Sequence, residues 1–91
     1  MATSRQIFFS TNCNAAAVKI GGYERINASL IPVFDALERN PYGFPRIESD
    51  WFSSRYIVTK PFHDTPPLVW LFYIEPTGDI VIDHVEEFEG Y

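Results

Sequence analysis

The chain has 91 residues, enough for one domain and too few for two. A hydrophobic fraction of 46% and an aromatic fraction of 16% exclude a disordered chain. A formal net charge of −5 disfavours nucleic-acid backbones as partners.

Cys13 is the only cysteine, so no intrachain disulfide forms, which fits a reducing compartment. Met1 to Gln6 lacks the apolar run of a signal peptide, and Leu68 to Ile74 is far shorter than a membrane span. The expected location is cytoplasmic, with no membrane partner.

Gln6 to Ser10 reads as a short strand, because Ile7, Phe8 and Phe9 are strand formers between polar residues. Thr11 and Asn12 offer caps for a helix through Ala15 to Ile20, which Gly21-Gly22 stops. A second helix spans about Tyr23 to Arg39. Ile26, Leu30, Val33, Phe34 and Leu37 recur there at the spacing of one buried stripe. Pro32 interrupts it, since its ring clashes with the preceding turn and removes a donor. Either the helix kinks there, or a new helix starts at a Ser29 cap with Pro32 in its first turn.

Asn40-Pro41-Tyr42-Gly43 is turn chemistry, and Arg46 to Glu48 fits a short edge strand. Trp51 to Lys60 alternates, with Phe52, Tyr56 and Val58 on one side and Ser53, Arg55 and Thr59 on the other. Leu68 to Ile74 is apolar on both faces, as in a central strand covered twice. Pro76 to Asp79 makes a hairpin connection, and a last strand runs from Ile80 to about Val85 or Phe88. The expected fold is a single α+β domain over 1–91: an N-terminal strand and two helices packed on one face of an antiparallel meander. The other face, expected to carry Arg55, is the natural place for a ligand or partner.

The chain carries no phosphate-binding glycine loop, nucleophile elbow or paired-cysteine metal site, so no cofactor or metal is expected. His63 sits beside Asp64 in a loop, and His84 follows Asp83 in the last strand; either imidazole is a candidate acid or base. Cys13 falls at a helix N-terminus, where the dipole lowers a thiol pKa, although a buried inert thiol is the plainer reading. Arg55 and Lys60 lie on and after one strand, where they can hold a phosphate or carboxylate. Asp79, Asp83, Glu86, Glu87 and Glu89 crowd the last thirteen residues. They form either a solvated end or a docking patch for a basic partner.

Leu37-Glu38-Arg39-Asn40-Pro41 resembles the helix end and turn of the RelE/ParE-type toxin superfamily, and Arg55-Tyr56-Ile57-Val58 resembles the strand that follows. Val69 to Ile74 and Asp79 to Val85 are similar to its paired final strands. The resemblance covers roughly Ile26 to Glu89. It implies a type II toxin–antitoxin component whose partner is a co-encoded antitoxin, with a homodimer as the other arrangement to consider. In RNA-cutting members, basic residues on the sheet bind phosphate, and a C-terminal aromatic or histidine assists proton transfer. By that resemblance Arg55, Lys60 and His84 are the candidate catalytic residues.

The chain departs from the nuclease pattern at two places. Val69 stands where such toxins carry an arginine, and Glu86, Glu87, Phe88 and Glu89 replace the basic cluster after the last strand. Tyr91 does not align with the catalytic aromatic. The expected function is therefore protein–protein contact without RNA cleavage. A RelE-type ribosome-dependent messenger endoribonuclease and an orphan interaction module are the alternatives.

Overall fold

The computed structural model describes residues 6–48, 53–61 and 65–88. Strand β1 (Ile7–Phe9) leads into helix α1 (Thr11–Lys19). Helix α2 (Tyr23–Ile26), a 3-10 turn (Asn27–Ser29) and helix α3 (Leu30–Arg39) follow. A second 3-10 turn (Pro41–Gly43) precedes β2 (Arg46–Glu48), β3 (Ser53–Thr59), β4 (Leu68–Ile74) and β5 (Ile80–Glu87). The strands form one sheet in the order β1-β5-β4-β3-β2. β2 to β5 is an antiparallel meander, and β1 joins it parallel to β5, Ile7 opposite Ile80 and Phe9 opposite Ile82. β1 and β2 are the two edges, so residues 10–45 carry the chain from one edge to the other. That route lays the helices across one face, and the architecture is α+β as expected.

Local chemistry explains the helix boundaries. Ser10, in extended geometry, caps α1 by accepting from Cys13 N–H at 3.0 Å, so the cap is one residue before those expected from sequence. Gly21 and Gly22 end the helix with φ of 111° and 85°, a region that side chains rarely enter.

The expected single helix Tyr23–Arg39 is divided. Pro32 cannot donate to Ala28, and its ring crowds that carbonyl. The chain answers by tightening Asn27–Ser29 into a 3-10 turn, after which α3 starts with Pro32 as its third residue. Ser29 precedes α3, as in the second alternative, yet it is no cap. Its backbone is already helical (φ −80°, ψ −16°) and its side chain makes no capping bond.

Ile26, Val33 and Leu37 from the expected stripe are fully buried, while Leu30 and Phe34 pack partly covered against the same core. That core lies between the helices and the face of the sheet formed by Ile57, Trp70, Phe72, Ile82 and Val85. Phe9 meets Tyr23 and Phe34 edge-on at 5.3 and 5.9 Å. At the centre, Trp70 Nε1–H donates to Thr59 Oγ1 at 3.4 Å, and that hydroxyl donates to Leu68 O at 3.3 Å. A threonine is thus tolerated in the core because it completes the indole.

Three expectations about the sheet change. β3 alternates as anticipated, but Arg55, Ile57 and Thr59 face the helices, while Tyr56 and Val58 face away. Trp51 and Phe52, assigned to the same strand, lie outside the described residues. β4 has β3 and β5 on its two sides, as expected of a central strand, yet among the described residues helices cover only one of its faces. Its burial alternates: Leu68, Trp70 and Phe72 are buried, and Val69, Leu71 and Tyr73 are half-buried, with no described helix over them. Finally, β5 contains a bulge. Leu71 pairs with His84 and Phe72 with Ile82, leaving Asp83 as the extra residue. The bulge lets Ile82 and Val85, three apart, both turn into the core.

Candidate functional site

The three residues expected to form a catalytic set are not brought together. Arg55 lies opposite Phe72 on the helix face of the sheet, whereas His84 lies opposite Leu71, whose side chain is on the other face. Lys60 follows the end of β3 and is exposed. Arg55 and His84 therefore lie on opposite faces of the sheet and do not form one site.

Arg55 is occupied. Its Nη1 donates to Phe44 O at 2.8 Å and Tyr42 O at 3.1 Å, and its guanidinium stands 5.8 Å from the Tyr42 ring centroid. The side chain ties the turn after α3 onto β3, satisfying carbonyls that a 3-10 turn leaves unpaired. Beneath it, Phe44 packs edge-on against Phe72 at 5.9 Å.

His84 lies at the β5 bulge, its Nε2 3.8 Å from Glu86 Oε2. Both residues line a cleft of about 640 Å³ between α1 and β5, together with Asn12, Lys19 and Asp83. Two carboxylates face one lysine there, a lining that repels a phosphodiester. A histidine beside a carboxylate can pass a proton, yet the cleft offers few groups to position a polyanion. Among the described residues, no three His, Cys, Asp or Glu side chains are placed to hold a metal ion. His63 and Asp64 lie outside the described residues.

Cys13 is fully buried, and burial pushes its thiol pKa up; the helix dipole does not activate it. Tyr23 Oη donates to Asn14 Oδ1 at 2.6 Å and lies 3.7 Å from Cys13 Sγ, and burial pushes its phenol up as well. The thiol is therefore a packing group.

The acidic C-terminal residues do not act as one patch. Glu87 pairs with Arg25 at 3.1 Å, and that arginine also donates to Ile20 O at 2.7 Å, joining the end of α1 to β5. Asp79 closes the hairpin, accepting from Gln6 N–H at 3.2 Å and Thr77 Oγ1–H at 3.2 Å. Asp83 and Glu86 are left at the bulge; Glu89 lies outside the described residues.

Two surfaces remain that sequence reading did not delimit. The first is the open sheet face, where Tyr56, Val58, Val69, Leu71 and Tyr73 are half-buried and Phe8 is 45% exposed. Burial, then the carboxylates of Asp83 and Glu75, raises the Tyr73 pKa, so its phenol stays protonated. The apolar residues on both sides of β4 are the signal for this face, and in sequence they look the same as a strand covered twice.

The second is a cleft of about 760 Å³ between the start of α3 and the end of β3. Ser29, Pro32, Ala36, Phe44 and Ile57 line it, and Lys60 stands among its lining residues. Ser29 Oγ is buried with no hydrogen-bond partner. Arg25 O, one turn back, already accepts from Thr65 Oγ1–H at 3.0 Å. An unpaired buried hydroxyl costs about 1–3 kcal/mol.

Comparison with family models, curated proteins and solved structures gives no match to this chain. The fold and its surfaces define the class: an α+β domain with a one-sided helical layer and an open, apolar sheet face. No helix among the described residues is long and apolar enough to cross a membrane.

Proposed function

We infer that this domain works by protein–protein contact, as a RelE/ParE-like component of toxin–antitoxin type that does not cleave RNA. The observation supporting this is the open face of the sheet. Its side chains Tyr56, Val58, Val69, Leu71 and Tyr73 are contiguous and half-buried beside the 45% exposed Phe8, and an apolar patch of this kind favours docking. The face is bordered by Asp83 and Glu86 at the bulge, which favours a basic partner over an acidic one. The partner implied by the resemblance is a co-encoded antitoxin; a second copy of the chain is the competing occupant. The reading places the domain in the cytoplasm, which suits its lone thiol.

Against the nuclease alternative stands the use of Arg55. Cleavage builds negative charge on the phosphate and needs fixed cations beside it. Arg55 commits Nη1 to two carbonyls of the turn after α3, which fixes the side chain there, and His84 sits among carboxylates.

The test is co-expression with the protein encoded beside it, followed by size-exclusion chromatography and a ribosome-coupled cleavage assay. The expected result is a stable complex and no cleavage. Robust cleavage abolished by Arg55→Ala or His84→Ala would overturn this reading and establish the ribonuclease.

A further inference from the structure

We propose that the cleft between α3 and β3 is a binding site for a small amphipathic carboxylate: a hydrocarbon body on the apolar walls and an anionic head on Lys60. The inference stands apart from the docking reading, because the cleft takes its walls from the start of α3 and the end of β3 and shares only Val58 with the open face.

The size and lining select a small molecule. At about 760 Å³ the cleft falls within the range of small-molecule sites, which are mostly apolar with few polar groups. Pro32, Ala36, Phe44 and Ile57 supply walls without charge, and Ile31 at its lip is 74% exposed. A straight hydrocarbon chain gains from covering these surfaces, while a polar metabolite loses its hydration against them.

One polar group selects the head. Lys60 is exposed and makes no ion pair among the described residues, so its ammonium is available to a carboxylate. Among the described residues no carboxylate side chain lines the cleft. Ser29 lies at the inner wall of the cleft, where its hydroxyl is fully covered and without a hydrogen-bond partner, so a ligand meets it as part of the packed wall and Lys60 alone selects the head.

Pro32 makes the site. By tightening Asn27–Ser29 it turns Ala28, Ser29 and Ile31 around one end of the cleft.

The test is titration of octanoate into the ¹⁵N-labelled full chain, read by amide chemical shifts, with acetate and octylammonium as controls. Octanoate is expected to give saturable shifts at Ile31, Ala36, Ile57 and Lys60. Acetate should give none, and octylammonium should bind at least about tenfold more weakly. Lys60→Gln should weaken octanoate about tenfold and bring octylammonium closer to it, since the repelling charge is gone. Ser29→Ala should leave octanoate affinity within about twofold while the melting temperature stays level or rises, since it removes an unpaired buried group. Three outcomes overturn the proposal: no saturable shift at the cleft, equal binding of octylammonium, or unchanged octanoate affinity in Lys60→Gln. Cleft shifts caused by a protein partner and not by octanoate would also overturn it, and would reassign the cleft to that interface.

Discussion

Arg55 donates to the carbonyl of Phe44 at 2.8 Å, and this bond converts a residue that looks catalytic in the sequence into a clamp on the turn after α3. Hydrogen bonds from a charged donor contribute about 1.5–3 kcal/mol, and the two carbonyls are left unpaired if the guanidinium goes. Arg55→Ala should therefore lower stability by about that amount in urea denaturation. It should also raise hydrogen exchange at Tyr42 to Phe44 and β2. A loss below about 0.5 kcal/mol would mean that the guanidinium is free, returning Arg55 to the list of candidate phosphate ligands.

Thr59 and Trp70 form a second testable pair. Thr59→Val keeps the shape and deletes the acceptor of the indole N–H, leaving that donor buried and unpaired. The expected cost is about 1–3 kcal/mol. In a Trp70→Phe background the same change should cost less, because the donor is already gone. Equal costs in both backgrounds would show that the two side chains are not coupled.

The thiol and phenol at the α1–α2 junction predict a loss of stability at high pH. Burial raises the pKa of Cys13 above its ordinary 9.0 and that of Tyr23 above 10.0. A group with a raised pKa holds its proton more tightly when folded than unfolded. Its contribution is complete below the unfolded pKa and lost as pH rises through the folded one. The urea midpoint should stay level from neutral pH to about 8 and fall above about 9. Cys13→Ala should remove the first part of that fall. Native Cys13 should also react with a thiol reagent only at the rate at which the core opens.

The open sheet face predicts separable fold and binding. Leu71 is half-buried between Tyr56 and His84 on its neighbouring strands. Leu71→Lys places a charge at the centre of the face and leaves the helix-side core untouched. Stability should fall by no more than about 1–2 kcal/mol, while a complex formed through this face should weaken at least about a hundredfold. Measured by calorimetry, an unchanged affinity would move the contact elsewhere on the domain.

Gly21 leaves no room for a side chain without a shift of Arg25. A Cβ there would stand 2.6 Å from Arg25 Cδ, on backbone with a φ of 111°. Gly21→Ala should cost about 1–2 kcal/mol by thermal denaturation, and more if Arg25 loses its bonds to Ile20 O and Glu87.

The sequence by itself determined the element order, the class and most boundaries. Periodicity, proline and glycine act within a few residues, so Arg46–Glu48, Leu68–Ile74 and the turn at Pro76 are readable locally. It also made visible that Cys13 sits at the start of a helix and that the C-terminal strand is acidic. What it left open depends on contacts between distant residues. The alternation of β3 was legible, but which side faced the helices was not. Arg55 turns inward because Phe44, eleven residues earlier, brings a carbonyl to meet it. Thr59 is buried because Trp70 needs an acceptor, and both faces of β4 look alike in sequence although, among the described residues, helices cover only one. The bulge at Asp83 decides that His84 and Arg55 lie on opposite faces, and no local signal marks it. The cleft at Ser29 exists because Pro32 tightens a turn against a strand end that is distant in sequence. Pattern fixes which segments bury a side, but pairing across the sheet chooses the side, because a shift of one residue exchanges the two faces of a strand at no local cost.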